Sequence, residues 1–309
     1  MPLLVVDLKG DMVNLLLNFP QLAPADFRPW LPSDAVAGHD PQEVAEQQAA
    51  LWSKGLSREG LATDDLRSVK EGLEWQLLTP GISSMAPLDI LPTLSAPPGL
   101  DPDTDPDGAR ERIDGLASAL LSLVGRGGDP LTDRDHVLLA ATVLEHWRRG
   151  DSLDMVGLLS SLADPPIETL GAFAVDTFYP RDDRMKLVMQ LNTLVASPGF
   201  AAWTEGLPLE MESLLGTPEA PRASIITIAH LDTRQRLFVL GLLFSELRSW
   251  MRRQPASLGL RALLYLDEVQ GILPPHPANP PTKGPLLTLL KQGRAFGVGV
   301  WLATQNPVD

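Results

Sequence analysis

Two adjacent carboxylates, Asp267 and Glu268, end the apolar run in "LRALLYLDEVQGILPP" (Leu260–Pro275), with no histidine or cysteine beside them. Successive residues of a strand point to opposite faces, so the two acids can take different tasks. One can hold a Mg²⁺-bound water while the other orients or deprotonates an attacking water. Mg²⁺ is satisfied by one or two carboxylates plus phosphates and waters, which accounts for the missing histidine ligands. The pair also fits an ordinary strand-to-loop turn. A second apolar run, "VGVWLATQNPVD", ends in Thr304 and Gln305, bringing an amide to the same set of strand ends. Gln305 could orient the water or sense a γ-phosphate. "KQGRAFG" sets Arg294 close to that end in sequence. A guanidinium there could stabilise transferring phosphate charge, in its own subunit or a neighbour's. The plainer reading of Arg294 is a solvated cation at a helix C-terminus.

These residues need a scaffold that gathers strand ends. "LLVVDLKGD" reads as a short buried strand, Leu3 to Val6, that breaks at Lys9-Gly10; "ASIITIAHLD", "LRALLYLDE" and "VGVWLATQ" read as three more. Between them lie two helices, "TRQRLFVLGLLFSELRSWMRRQ" and "PLLTLLKQGRAFG". Continuous apolar strands alternating with helices predict a parallel sheet covered on both faces. In such sheets ligands sit at the carboxyl ends of the strands.

The rest of the chain divides by composition. Residues 1–22 hold the first strand and its turn, and 23–108 read as a Pro/Asp-rich irregular segment with short helices. That segment includes a weak helical stretch around Asp64 to Leu78 and closes in the turn-rich "LSAPPGLDPDTDPDG", where repeated proline forbids helix or central strand. Residues 109–221 read as a helical insertion, and 222–309 hold the remaining strands. Within the insertion, "TDRDHVLLAATVLEHWRRG" opens with Thr132 and Asp135 at capping-box spacing. Val137, Ala141, Leu144 and Trp147 then mark one face, and Gly150 closes the helix.

Composition sets further bounds. The 309 residues are 44% hydrophobic, enough for a sizeable core, and contain no cysteine, which excludes disulfides, thiolate zinc sites and cysteine nucleophiles. No apolar run approaches the roughly 20 residues of a membrane span, and "MPLLVVDLKGD" lacks the features of a signal peptide. A cytoplasmic protein without membrane partners is the expectation. The net charge of −14 is unevenly placed: residues 222–309 hold 10 Lys+Arg against 5 Asp+Glu, the remainder 15 against 34. A basic part behind an acidic front permits an anionic ligand at one face and identifies none.

Three stretches carry a resemblance. "LLVVDLKGDMVNLL", "LLYLDEVQGIL" and "LLKQGRAFGVGVWLATQNPVD" resemble the HerA/FtsK-type ATPases, ring-forming P-loop motors that move DNA. The likeness covers Leu3 to Leu17 and about Ala223 to Asp309, and the middle looks like the helical insertion of some bacterial HerA-like proteins. It implies an α/β fold of the P-loop NTPase (RecA/ASCE-like) type, with a mostly parallel sheet, ATP and Mg²⁺ as cofactors, double-stranded DNA as partner and a hexameric ring. By the same resemblance Asp267 is the Mg²⁺-associated Walker B acid, Glu268 the catalytic base, Gln305 the sensor and Arg294 the arginine finger. Asp7 and Lys9 match positions near the nucleotide. Lys283, in the long loop of "PPHPANPPTKGPLL", suits a pore loop that grips DNA phosphates.

One part of that pattern is missing. A phosphate-cradling loop, G-x-x-x-x-G-K-[ST], occurs nowhere in the sequence. "VGRGGDP", Val124 to Pro130, has glycines but no following Lys-Ser/Thr, and reads as a loop between helices. In the family this element precedes the position of Leu3, so the chain is expected to start and stop inside the domain and its sheet to lack a central strand, the P-loop strand. Three origins are open: a piece of a longer reading frame, which is favoured; a split gene; or a relative that has lost catalysis. Two other functions stay beside the DNA motor. One is a non-hydrolysing assembly module, the other a motor of a secretion or conjugation apparatus.

Overall fold

The computed structural model describes residues 1–91, 94–97, 99–127, 129–269, 271–276 and 278–304. Its centre is a five-stranded sheet, all parallel, made of β1 (Leu3–Asp7), β2 (Glu74–Leu78), β3 (Arg222–Thr227), β4 (Ala262–Leu266) and β5 (Val298–Leu302). The order across the sheet is β2-β3-β1-β4-β5. β1 lies in the middle, with Val6 in register with Ile226 on one side and Leu266 on the other. The ladder is contiguous, and the edges are β2 and β5.

Alternation along the strands sorts the side chains. Leu4, Val6, Ile226, Leu264, Leu266 and Val298 enter one large core. That face is covered by α6 (Thr233–Arg253), which links β3 to β4 across β1, and α7 (Lys283–Phe296), which links β4 to β5. The parallel connections run each helix antiparallel to the strands, as βαβ units require. α6 begins at a capping box: the Gln235 amide N–H donates to Asp232 Oδ1 at 2.9 Å, and the Asp232 amide N–H donates to Gln235 Oε1 at 3.0 Å. The other face carries a row in register, Leu77-Ile225-Val5-Tyr265-Trp301. Its cover gives out along that row. Ile225 and Val5 are buried, whereas Trp301 is 61% exposed and meets Tyr265 edge-on, with ring centroids 6.0 Å apart.

The helical part shares the core of the sheet. α2 (Pro106–Leu123) packs along α6, and α3 (Arg134–Arg149), α4 (Met155–Ala163) and α5 (Arg181–Val195) continue outward from it. Phe238 and Phe244 of α6 are buried in the same cluster as Leu120, Leu139 and Leu187. Gly115 and Ser245 mark the closest approach, since a Cβ on Gly115 would stand 2.4 Å from Ser245 Oγ.

Four local expectations need correction. The stretch from Asp64 to Leu78 is not one helix: a helix spans Thr63–Glu71, and Glu74–Leu78 is edge strand β2 beside β3. Glu74 pairs there with Arg222 at 2.9 Å. The segment 23–108 is more regular than its composition suggests, since α1 (Pro41–Arg58) has 18 residues and starts at a proline behind the N-cap Asp40. α3 is capped by Asp133, not by Thr132; its carboxylate accepts from the amide N–H groups of Asp135 and His136. The buried stripe of α3 runs through Leu138, Leu139, Thr142, Val143 and Trp147, with Val137, Ala141 and Leu144 at its margin. Gly150 does close the helix, in the left-handed region at φ 70°.

Candidate active site

The carboxyl rim of the sheet gathers acids from two adjacent strands. Asp7 ends β1 and is fully buried. The chain then turns sharply, with Gly10 at φ 91°, a conformation that L side chains resist. This turn lets Asp7 Oδ1 accept from the amide N–H groups of Lys9 (3.2 Å) and Gly10 (2.7 Å). It also brings Asp11 back over the strand end. Asp267 follows β4, and its amide N–H donates to Val6 O at 3.3 Å. One carboxylate oxygen each of Asp7, Asp11 and Asp267 lies within 4.8 Å of the others. Asp7 Oδ2 and Asp267 Oδ2 are both buried and without hydrogen-bond partners among the described residues.

Glu268 takes the other direction. Its Oε2 stands 3.3 Å from Lys9 Nζ, and its Oε1 accepts from Thr304 Oγ1 at 3.2 Å and from the Val269 amide at 3.2 Å. The adjacent acids thus have separate surroundings, carboxylates around Asp267 and an ammonium and a hydroxyl around Glu268. Burial first, then the charge of Asp11, push the Asp267 carboxyl above the usual carboxylate range; Lys9 opposes this, while Asp7 and Glu268 add to it.

Asp7, Lys9, Asp267 and Glu268, singled out from sequence, therefore meet at one rim. Thr304, at the end of β5, joins them through Glu268. Gln305 lies outside the described residues. Arg294 does not join them. α7 runs antiparallel to the strands, so its last turn sits at the opposite rim, where the neighbouring Ala295 carbonyl accepts from the Ser257 amide at 3.0 Å. A strand of five residues separates the two rims by about 16 Å, and Arg294 is exposed there. Proximity in sequence misled because the helix returns the chain before β5 begins. Lys283 is corrected too: it opens α7 and is not a loop residue, and its Nζ donates to Ala278 O at 2.9 Å. It borders a broad cleft shared with Arg234, Arg248 and Asp114. "VGRGGDP" is a turn between α2 and α3 over its described residues.

Asp11 was not singled out from sequence. Its signal was the spacing in Asp7-Leu8-Lys9-Gly10-Asp11, where a glycine before the second acid permits the chain to fold back.

Two buried carboxylate oxygens without donors suit a hard cation with oxygen ligands, and the donor set contains no nitrogen or sulfur to favour a softer metal. Among the described residues no helix is long and apolar enough to cross a membrane. Compared with models of protein families and with curated proteins, the chain matches none.

Proposed function

We propose that this chain supplies the hydrolytic rim of an ATP-driven DNA motor of the HerA/FtsK type, with a P-loop NTPase sheet that works as a ring of copies, six in the family pattern. The observation that carries this reading is the split surroundings of Asp267 and Glu268 at the carboxyl ends of a parallel sheet. A bound Mg²⁺ would neutralise phosphate charge beside Asp267, with Asp7 close by. Glu268, in contact with Lys9 and Thr304, would orient a water and accept its proton. Gln305, next in sequence to Thr304, is the proposed sensor of the γ-phosphate. Arg294 lies at the rim opposite Asp267 and Glu268, so an arginine acting from there would serve the site of a neighbouring copy.

The phosphate cradle must then come from further polypeptide, within a longer reading frame or from a partner. An open place for it exists in the fold. The outer edge of β5 is unpaired among the described residues, and the face beside it carries the exposed Trp301. A parallel strand added at that edge, followed by a helix laid over Trp301 and Tyr265, would complete the sheet and bury both aromatics. The missing strand is thus expected at an edge of this sheet, not as a gap within it.

The absence of G-x-x-x-x-G-K-[ST] from the sequence favours a second reading, a non-hydrolysing assembly module. Two observations separate them. An in-frame cradle motif in the coding DNA upstream of Met1 supports the motor; its absence supports the assembly module. ATPase stimulation by double-stranded DNA in the cradle-bearing protein distinguishes a DNA motor from one that moves protein in a secretion or conjugation apparatus.

A further inference from the structure

We infer that Asp7, Asp11 and Asp267 form a divalent-cation site that binds its ion directly through three carboxylates and without nucleotide. This rests on the rim geometry alone and holds or fails independently of the ATPase reading.

The first observation is the convergence of three acids from two segments, with donor oxygens inside 4.8 Å. The second is Asp7 itself. Its side chain is fully buried, one oxygen is committed to the Lys9 and Gly10 amides, and the other has no partner. A buried carboxylate oxygen left without a donor is costly, and a cation held between the three acids would offset that cost. The nearby ammonium is engaged elsewhere, since Lys9 pairs with Glu268. Among the described residues no Lys, Arg or His forms an ion pair with any of the three acids.

The donors decide the class of ion, since Mg²⁺, Mn²⁺ and Ca²⁺ all take carboxylate oxygens. Asp11 is exposed and can adjust its carboxylate toward an ion beside Asp7 and Asp267. All-oxygen ligation by carboxylates selects these hard cations over zinc or copper.

The test is a titration of the 309-residue chain with Mn²⁺ in nucleotide-free buffer, following free Mn²⁺ by electron paramagnetic resonance. One ion per chain is expected, displaced by Mg²⁺ or Ca²⁺. Asp11→Asn and Asp267→Asn should each raise Kd by at least about 100-fold, a larger loss than removal of an outer partner commonly causes. The exposed Asp64, which pairs with Arg67 and is no member of the cluster, is the control, and Asp64→Asn should leave Kd unchanged. Because Asp11 is exposed, its variant is expected to fold, with an unaltered circular dichroism spectrum. Absence of binding at millimolar Mn²⁺, or binding that neither Asp11→Asn nor Asp267→Asn weakens, overturns the site. Either result leaves nucleotide binding by the cradle-bearing protein to be judged separately.

Discussion

Lys9 Nζ lies 3.3 Å from Glu268 Oε2, joining the turn after β1 to the segment that follows β4. The Lys9 side chain is 35% exposed and that of Glu268 13%, so the pair is screened on one side and adds little to stability. Lys9→Met should cost about 0–1 kcal/mol in urea unfolding. Its larger effect should appear in catalysis by the cradle-bearing protein. A double-mutant cycle of Lys9→Met with Glu268→Gln should be strongly non-additive in kcat, because both changes disable one unit. Additive losses would separate Lys9 from the role of Glu268.

Gly10 holds the turn that places Asp11. Its φ of 91° disfavours any side chain, although a Cβ would meet only Ala229 at an ordinary 3.4 Å. Gly10→Ala should therefore destabilise by about 1–2 kcal/mol through the backbone. It should also weaken Mn²⁺ binding by moving Asp11. Unchanged binding would mean that Asp11 reaches the rim without this turn.

The three rim carboxylates repel one another when no cation lies between them. Asp11→Asn removes one charge at an exposed position, so in metal-free, low-salt buffer its melting temperature should equal or exceed that of the wild type. Added Mg²⁺ should raise the wild-type melting temperature and leave the variant nearly unmoved. Equal responses of both proteins to Mg²⁺ would argue against the cation site.

Tyr179 hydroxyl donates to Asp135, which also pairs with Arg126. Burial, then the hydrogen bond and charge of Asp135, push the phenol up to about 12. A phenol with a folded pKa above its unfolded value contributes stability that is whole below about pH 10, its ordinary pKa. That contribution is lost as pH rises through about 12. The sequence has only two tyrosines, so in Tyr265→Phe the phenolate absorbance reports Tyr179 alone. Its midpoint should lie near 12, and a midpoint near 10 would contradict the buried arrangement. Tyr179→Phe should cost about 1–3 kcal/mol at neutral pH, through loss of a hydrogen bond to a charged group.

The helical part and the sheet share one core, so they should unfold together. Phe244→Ala, on the helix between them, should destabilise the chain by about 3–5 kcal/mol. Both probes, the helical signal and amide hydrogen exchange in β1 and β4 of the sheet, should shift equally. Separate transitions would show two independent folding units.

The sequence made four of the five sheet strands legible because each is a continuous apolar run in a parallel sheet, even β5, of which only Val298 is buried. β2 escaped because "EWQLL" is a half-exposed edge strand: Glu74 is exposed and only Leu78 is buried. α1 escaped for a related reason. It buries only Ala45 and Ala49, so its 18 residues show no apolar stripe. At the site, Asp267, Glu268 and Asp7 were legible as acids at strand ends. Asp11 was not, because its position depends on a glycine turn. Arg294 was misplaced because nearness along the chain does not reveal at which end of a βαβ unit a helix residue finishes.

The central claim is that Glu268 activates water for ATP hydrolysis. It is tested most directly by ATP turnover of this chain supplied with a phosphate cradle, in one polypeptide or from a partner, wild type against Glu268→Gln, with double-stranded DNA present. Glu268→Gln should retain ATP binding and lose about 10²–10⁴-fold in kcat, the range for removing a general base. The 309-residue chain by itself should turn over negligible ATP. An unchanged kcat in Glu268→Gln, or robust Mg²⁺-dependent hydrolysis by the 309-residue chain alone, would contradict the account.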